Sequence, residues 1–256
     1  MSPLLEVAAV THPGKARSQN EDCIAADAQA GLAVLADGMG GHNAGEVASR
    51  MAVELVASQI LRQRAQGAPL DAARAEALIV AQMAMANSTL LEAAHAEPEY
   101  RGMGTTLVIA VWHGDGVSYA HVGDSRLYSL RRGKLSRLTR DHSIVQEQLE
   151  RGAISPEQAR HAPNRNVLTR AVGIDPEVEA DVRTLEVEPD DVYLLCSDGL
   201  TDMLTDDEIR HTLLSHPASV SAAAHRLVER ANENGGLDNI SVVLVRVTGR
   251  GGDRGA

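Results

Sequence analysis

The sequence predicts an α+β layered domain, and three observations carry that prediction. Apolar runs of strand length fall into two groups. Two pairs of helical patterns interleave with them. Several neighbouring strands are joined by tight turns, which favours hairpins and antiparallel sheets over a doubly wound parallel sheet. The 256 residues contain no internal repeat and no Pro- or Ser-rich linker. A single domain is therefore expected over residues 1–248, with a frayed Gly- and Arg-rich tail at 249–256.

The elements follow in order. Residues 4–10 and 23–36 read as strands around a polar turn. A helix is expected from about Gly45 to Ala65, with Val47, Met51, Leu55 and Ile60 facing inward. Leu70 to Ala96 is a second, Ala- and Met-rich helical pattern, whose Met83 and Met85 read as core filler. Thr105–Trp112 and Val117–Val122 are strands around the turn Gly114-Asp115-Gly116. Arg131-Arg132-Gly133 joins a second hairpin, Leu127–Leu130 to Lys134–Leu138. Residues 142–170 break the strand pattern with short helices, one opening at Ser155-Pro156-Glu157-Gln158. Strands return at 178–187 and 191–197. Thr205 caps a helix, Val220–Asn232 forms another, and Ile240–Thr248 closes the chain as a strand.

Composition narrows the function. With 24 basic and 35 acidic residues the net charge is −11, which disfavours a nucleic-acid partner. The absence of Phe, with one Trp and four Tyr, leaves no base-stacking platform. No apolar run is long enough to suggest a membrane span, and the N-terminus lacks the pattern of a secretory signal. Two cysteines give no disulfide framework, so a reducing cytoplasm is the expected location.

Two apolar runs end alike. Leu32–Ala36 meets Asp37-Gly38, and Val192–Ser197 meets Asp198-Gly199; each reads as a buried strand that stops on aspartate and turns at glycine. Asp238-Asn239 directly precedes the closing strand. Carboxylates fixed at core strand ends, if they converge, invite a hard, oxygen-ligated cation.

Seven motifs occur in order: Arg17-x-x-Asn20-Glu21-Asp22, Asp37-Gly38-Met39-Gly40-Gly41, Gly102-x-Gly104-Thr105-Thr106, Gly123-Asp124-Ser125-Arg126, Leu168 to Gly173, Ser197-Asp198-Gly199-Leu200 and Asp238-Asn239. This ordered set resembles the protein phosphatase 2C family, in its compact bacterial stand-alone form, over about Val7 to Val247. The resemblance implies a central antiparallel β-sandwich flanked by helices on both sides, in α-β-β-α layers. It implies hydrolysis of phosphoserine and phosphothreonine in proteins, by two Mg²⁺ or Mn²⁺ ions with room for a third. By resemblance Asp37 bridges both ions, Asp198 and Asp238 bind the first, and the Gly38 carbonyl binds the second. Glu21 reaches the second ion, Asp22 and Asn239 stand behind the ligands, and Asp124 with Asp198 holds the third. Arg17 clamps the substrate phosphate. The expected partners are phosphorylated proteins, including a Ser/Thr kinase, met by a monomer in the cytoplasm. Segment 142–170 corresponds to a flap beside the active site.

The chemistry of these residue types agrees. An all-oxygen donor set suits Mg²⁺ or Mn²⁺ rather than zinc. Arginine offers phosphate a planar, bidentate fork. One departure concerns Met39, which stands where many eukaryotic members carry a histidine; His42 is nearby but out of position.

Other phosphatase chemistries fail on inspection. A cysteine nucleophile needs an arginine six residues on, but Cys23 is followed there by Gln29 and Cys196 by Asp202. Asp37-Gly38-Met39 is not an Asp-x-Asp nucleophile, and His12, His42, His121 and His142 look scattered. Two alternatives remain open at this level: a catalytically weak phosphoprotein-binding module, and a phosphatase of small phosphoesters.

Overall fold

The computed structural model describes residues 3–41, 44–67, 70–160 and 162–249. Strands β1 (Leu4–His12), β2 (Asp22–Asp27) and β3 (Leu32–Met39) lead into helices α1 (Ala44–Ala65) and α2 (Ala72–Ala96). Five strands follow: β4 (Gly104–Thr105), β5 (Leu107–His113), β6 (Gly116–Val122), β7 (Arg126–Arg131) and β8 (Lys134–Arg137). Short helices α3 (Ile144–Glu150) and α4 (Pro156–Arg160) precede β9 (Asp181–Glu186) and β10 (Val192–Cys196). Helices α5 (Asp198–Thr201), α6 (Asp206–Ser215) and α7 (Val220–Glu233) come before β11 (Ile240–Gly249).

Two antiparallel sheets result. One has the order β1-β11-β10-β7-β8; the other has the order β2-β3-β5-β6-β9, with β4 paired to the end of β3. The alternation of side chains along each strand sorts the core into three layers. Ala33, Leu35, Val108 and Ala110 meet Leu127, Leu195, Val243 and Val245 between the sheets. There Trp112 packs edge-on to Tyr193, with centroids 5.5 Å apart. The alternate residues Val34, Ala36, Ile109 and Val111 face α1 and α2, while Leu194, Val242 and Leu244 face the C-terminal helices. The α-β-β-α sandwich expected from the resemblance is therefore present.

Several expectations need correction. On α1 the buried stripe is Ala48, Ala52, Val56 and Ile60, while Val47, Met51 and Leu55 pack at its edge. Small residues let this helix lie close on β3. Met83 is in the core, but Met85, two residues on and so on another face, is exposed. Helix α2 is long and apolar enough to cross a membrane by length and composition, contrary to the sequence expectation. Its Leu78, Ile79, Met83, Ala86 and Leu90 instead form part of the core under the β2-to-β9 sheet.

The run expected at 105–112 divides into β4 and β5, which keep one register against β3. The ladder is interrupted between them because Asp37 N–H donates to the Thr106 side-chain Oγ1 in place of a backbone carbonyl. Both expected caps form. Ser155 and Gln158 exchange bonds of 2.8 and 3.2 Å, and Thr205 with Glu208 makes a full capping box. Of the expected tail at 249–256, only Gly249 lies within the described residues.

Candidate active site

The site lies where the two sheets present the same end. Asp22 and Asp37 are register partners on β2 and β3 of one sheet. Asp198 begins α5, just after β10 of the other, and Asp238 directly precedes β11. Asp124 sits in the crossing from β6 to β7. A hydrogen bond joins the sheets here: Ser197 Oγ donates to Asp22 Oδ2 at 2.8 Å, and Ser241 N–H donates to Ser197 Oγ at 3.0 Å.

The backbone of Asp37 is pinned by residues whose roles the sequence did not reveal. Its N–H donates to Thr106 Oγ1 at 2.9 Å, and its carbonyl accepts from Thr105 Oγ1 and Thr106 N–H, each at 2.8 Å. Thr106 Oγ1 also shares a 2.8 Å bond with Ser125 Oγ, beside Asp124. Two motifs far apart in the chain are thus one structural unit. The readable signal was the cluster of small hydroxyl residues at strand ends.

Asn239 holds the arginine-bearing segment in place. Its Oδ1 accepts from Glu21 N–H at 2.8 Å, and its Nδ2 donates to Pro13 O at 3.1 Å and Gln19 O at 2.8 Å. Arg17 Nη2 then reaches Asp238 Oδ2 at 2.7 Å while its side chain stays 52% exposed.

Neither Asp-Gly pair is a turn. β3 continues through Gly38 to Met39, and Gly199 lies in the first turn of α5. Both glycines are needed for close approach. A Cβ on Gly38 would be driven into the carbonyl oxygen of Gly45 in α1, and one on Gly199 into that of Asn239. Glu21 closes the same corner, with a carboxylate oxygen 2.8 Å from where a Gly45 Cβ would stand.

Charge is concentrated here. Burial, then repulsion from Asp22, Asp198, Asp124 and Asp238, pushes the Asp37 carboxyl well above the usual range. Asp198 is raised likewise by burial and by Asp124, Asp202 and Asp238. Asp124 is pushed up to about 7 by burial and Asp141. Asp22, 8% exposed, is raised by burial to about 6, although Ser241 and Ser197 favour its charged form. Among the described residues, Asp22 Oδ1 finds no hydrogen-bond donor. Such uncompensated, all-oxygen charge is what hard divalent cations neutralise, so the residues fit Mg²⁺ or Mn²⁺.

The structure also unites residues that looked scattered. His121 and His142 are buried and stacked with centroids 4.7 Å apart, and His142 Nε2 lies 3.6 Å from Asp181 Oδ2. One ring nitrogen of each of His121 and His142 and an Asp181 oxygen lie within 4.8 Å of one another. His121 Nε2 is 2.7 Å from Arg140 O, and Gly123 N–H donates to His142 Nδ1 at 3.2 Å. Because its Nδ1 accepts from Gly123 N–H, a neutral His142 carries its proton on Nε2, while His121 Nε2 faces both Arg140 O at 2.7 Å and Arg140 N–H at 3.3 Å. His42 lies outside the described residues.

Segment 142–170 returns towards the site through Arg165, whose Nε is 3.5 Å from Asp202 Oδ2, one turn beyond Asp198.

Comparison with known proteins agrees with this geometry. The family model described as Protein phosphatase 2C matches residues 14–240. The serine/threonine phosphatase stp of Listeria welshimeri is 42% identical over 214 residues, 84% of this chain and 83% of that protein. PstP of Mycobacterium tuberculosis, a serine/threonine protein phosphatase, is 40% identical over 95% of this chain, which spans only 45% of the length of PstP. The crystal structure of the PstP catalytic domain in complex with two manganese ions superposes with a TM-score of 0.85 at 38% identity, covering 95% of this chain and 98% of that one. The chain belongs to the protein phosphatase 2C family and is a serine/threonine protein phosphatase.

Proposed function

We propose that the carboxylates at the shared end of the two sheets hold two Mg²⁺ or Mn²⁺ ions and hydrolyse phosphoserine and phosphothreonine in proteins. The observation that carries this reading is the convergence of Asp37, Asp198 and Asp238 from both sheets into one cluster short of positive charge. In this reading Asp37 bridges the ions, Asp198 and Asp238 complete the first, and the Gly38 carbonyl and Glu21 serve the second. Asp124 with Asp198 offers a weaker third position. When bound, the ions supply a water of lowered pKa and neutralise charge on the phosphate.

The remaining work falls to the chain itself. Thr105, Thr106 and Ser125 fix the backbone that carries Asp37 and Asp124. Asp22 stands behind Asp37, held by Ser197. Arg17 donates to Asp238, and its half-exposed fork is free to turn to a phosphate oxygen, a charge-assisted bond suited to a dianion. Met39 cannot donate a proton, and this reading assigns leaving-group protonation to a water held at the ion site rather than to His42, which lies outside the described residues. Segment 142–170, tied back at Arg165, is the region we assign to selecting the protein substrate. The same reading places the enzyme in the cytoplasm as a monomer opposing a Ser/Thr kinase. The two unpaired cysteines support that location.

The test is hydrolysis of p-nitrophenyl phosphate with added Mn²⁺. EDTA and Asp198→Ala should each abolish it. Turnover that survives either treatment would remove the metal assignment.

A further inference from the structure

An apolar shelf adjoins the acidic cluster. Met39 lies two residues beyond Asp37 on β3, so strand alternation puts both side chains on one face, ~7 Å apart along the strand. Met39 pairs with Gly104 of β4. A Cβ on Gly104 would come within 2.8 Å of both Met39 Cε and Ile174 Cδ1. The two side-chain tips therefore converge over the bare glycine, and Ile174 remains 42% exposed.

A single exposed isoleucine needs no explanation. This one differs because its backbone is clamped on both sides. Asn87, on α2 and only 2% exposed, accepts from Gly173 N–H at 2.7 Å and donates to Asp175 O at 2.9 Å. Gly173 takes a left-handed conformation (φ 89°) against Leu90. Val172 and Thr105 exchange backbone bonds of 2.9 and 3.0 Å, tying the loop to the strand next to Asp37. An apolar side chain thus stands in solvent on a rigid support, continuous with the site.

We propose that Met39 and Ile174 form a subsite for an apolar side chain within two residues of the phosphorylated residue of a protein substrate. Ile174 is then a specificity-determining residue. This rests on the phosphatase reading of the acidic cluster. A polypeptide whose phosphate lies at Asp37 and Arg17 must continue past the site, and one or two residues of extended chain cover the ~7 Å to the shelf. The Met39 methyl and the isoleucine tip offer no hydrogen bond, so the side chain they recognise is aliphatic. Partial burial of one such group in a shallow pocket discriminates by about three- to tenfold.

The experiment uses the Mn²⁺-loaded enzyme and phosphothreonine peptides in which one leucine is moved through the two positions on either side of the phosphoresidue. An all-serine background is the reference. One position should raise kcat/KM about three- to tenfold, mainly through KM. Ile174→Ser should flatten the profile and Ile174→Leu restore it, with p-nitrophenyl phosphate turnover unchanged in both. A flat wild-type profile, or a preference that survives Ile174→Ser, overturns the subsite. p-Nitrophenyl phosphate has no flanking residues and reads the chemistry separately. Its failure to turn over in the wild type would instead overturn the phosphatase reading, and the subsite with it.

Discussion

Asp37-Gly38 and Asp198-Gly199 are the same dipeptide after the same kind of apolar run, yet they sit in different backbone. The first lies inside a strand that runs on to Met39; the second opens a four-residue helix. What they share is steric. Each glycine faces a backbone carbonyl too close for any Cβ, Gly45 in one case and Asn239 in the other. The pair therefore marks where a carboxylate strand end is crowded by another segment, not where the chain turns. Each contact also brings a further site residue inward: Glu21 lies against Gly45, and Asn239 follows Asp238.

Substituting the aspartates should break the likeness most visibly. Asp37→Asn and Asp198→Asn should each lower kcat on p-nitrophenyl phosphate on the order of 10³-fold, in line with loss of a central charge-stabilising group. Raising Mn²⁺ should restore part of the Asp198→Asn activity and none of the Asp37→Asn activity, because only Asp37 is assigned to both ions. Equal rescue would erase the distinction. The glycines test the shared feature. Gly38→Ala and Gly199→Ala should each cost about 3 kcal/mol in chemical denaturation. Gly41→Ala, where a Cβ meets nothing within 4 Å, should stay within about 0.5 kcal/mol.

Smaller effects sharpen the picture. Arg17→Ala should raise KM for a phosphopeptide about tenfold, the value of one charged hydrogen bond. An unchanged KM would take Arg17 out of the phosphate site. The acidic cluster should also give metal-free protein an unusual pH response. Asp22 and Asp124 have folded pKa values near 6 and 7, above those of an unfolded aspartate. The folded state thus holds more protons, so their contribution is greatest near pH 4 and is lost as pH rises to about 7. Burial lowers His142 to about 4, so its opposite contribution fades only below about 6.5. Between pH 6 and 8 the melting temperature without metal should therefore fall by a few degrees, on the order expected for a loss near 1 kcal/mol. Saturating Mn²⁺ should remove the fall.

The acidic cluster was legible because its seven motifs are short, local and ordered along the chain. The strands were legible for a similar reason, since β5 is an apolar run from Leu107 to Trp112 and β11 is apolar from Val242 to Val245. What escaped depends on distant partners. That Gly38 is crowded follows from where α1 starts, and that Gly199 is crowded follows from a residue forty positions on. His121 and His142 looked unrelated until the segment after β8 docked on Gly123 in the β6–β7 crossing and stacked the two rings. The inward face of α1 was read only in part: Ile60 is buried and Val47, Met51 and Leu55 pack at the edge, but Ala48 and Ala52, which a search for large apolar residues passes over, make the central contact.

In the proposed arrangement, carboxylates from two sheets build one centre shared through Asp37. Electron paramagnetic resonance during Mn²⁺ titration of the metal-free enzyme tests it most directly. The second equivalent should produce an exchange-coupled signal from two ions sharing a ligand. Asp37→Asn should abolish that signal, while Gly41→Ala leaves it intact. Two equivalents that bind as isolated ions, with six-line spectra that simply add, would contradict it.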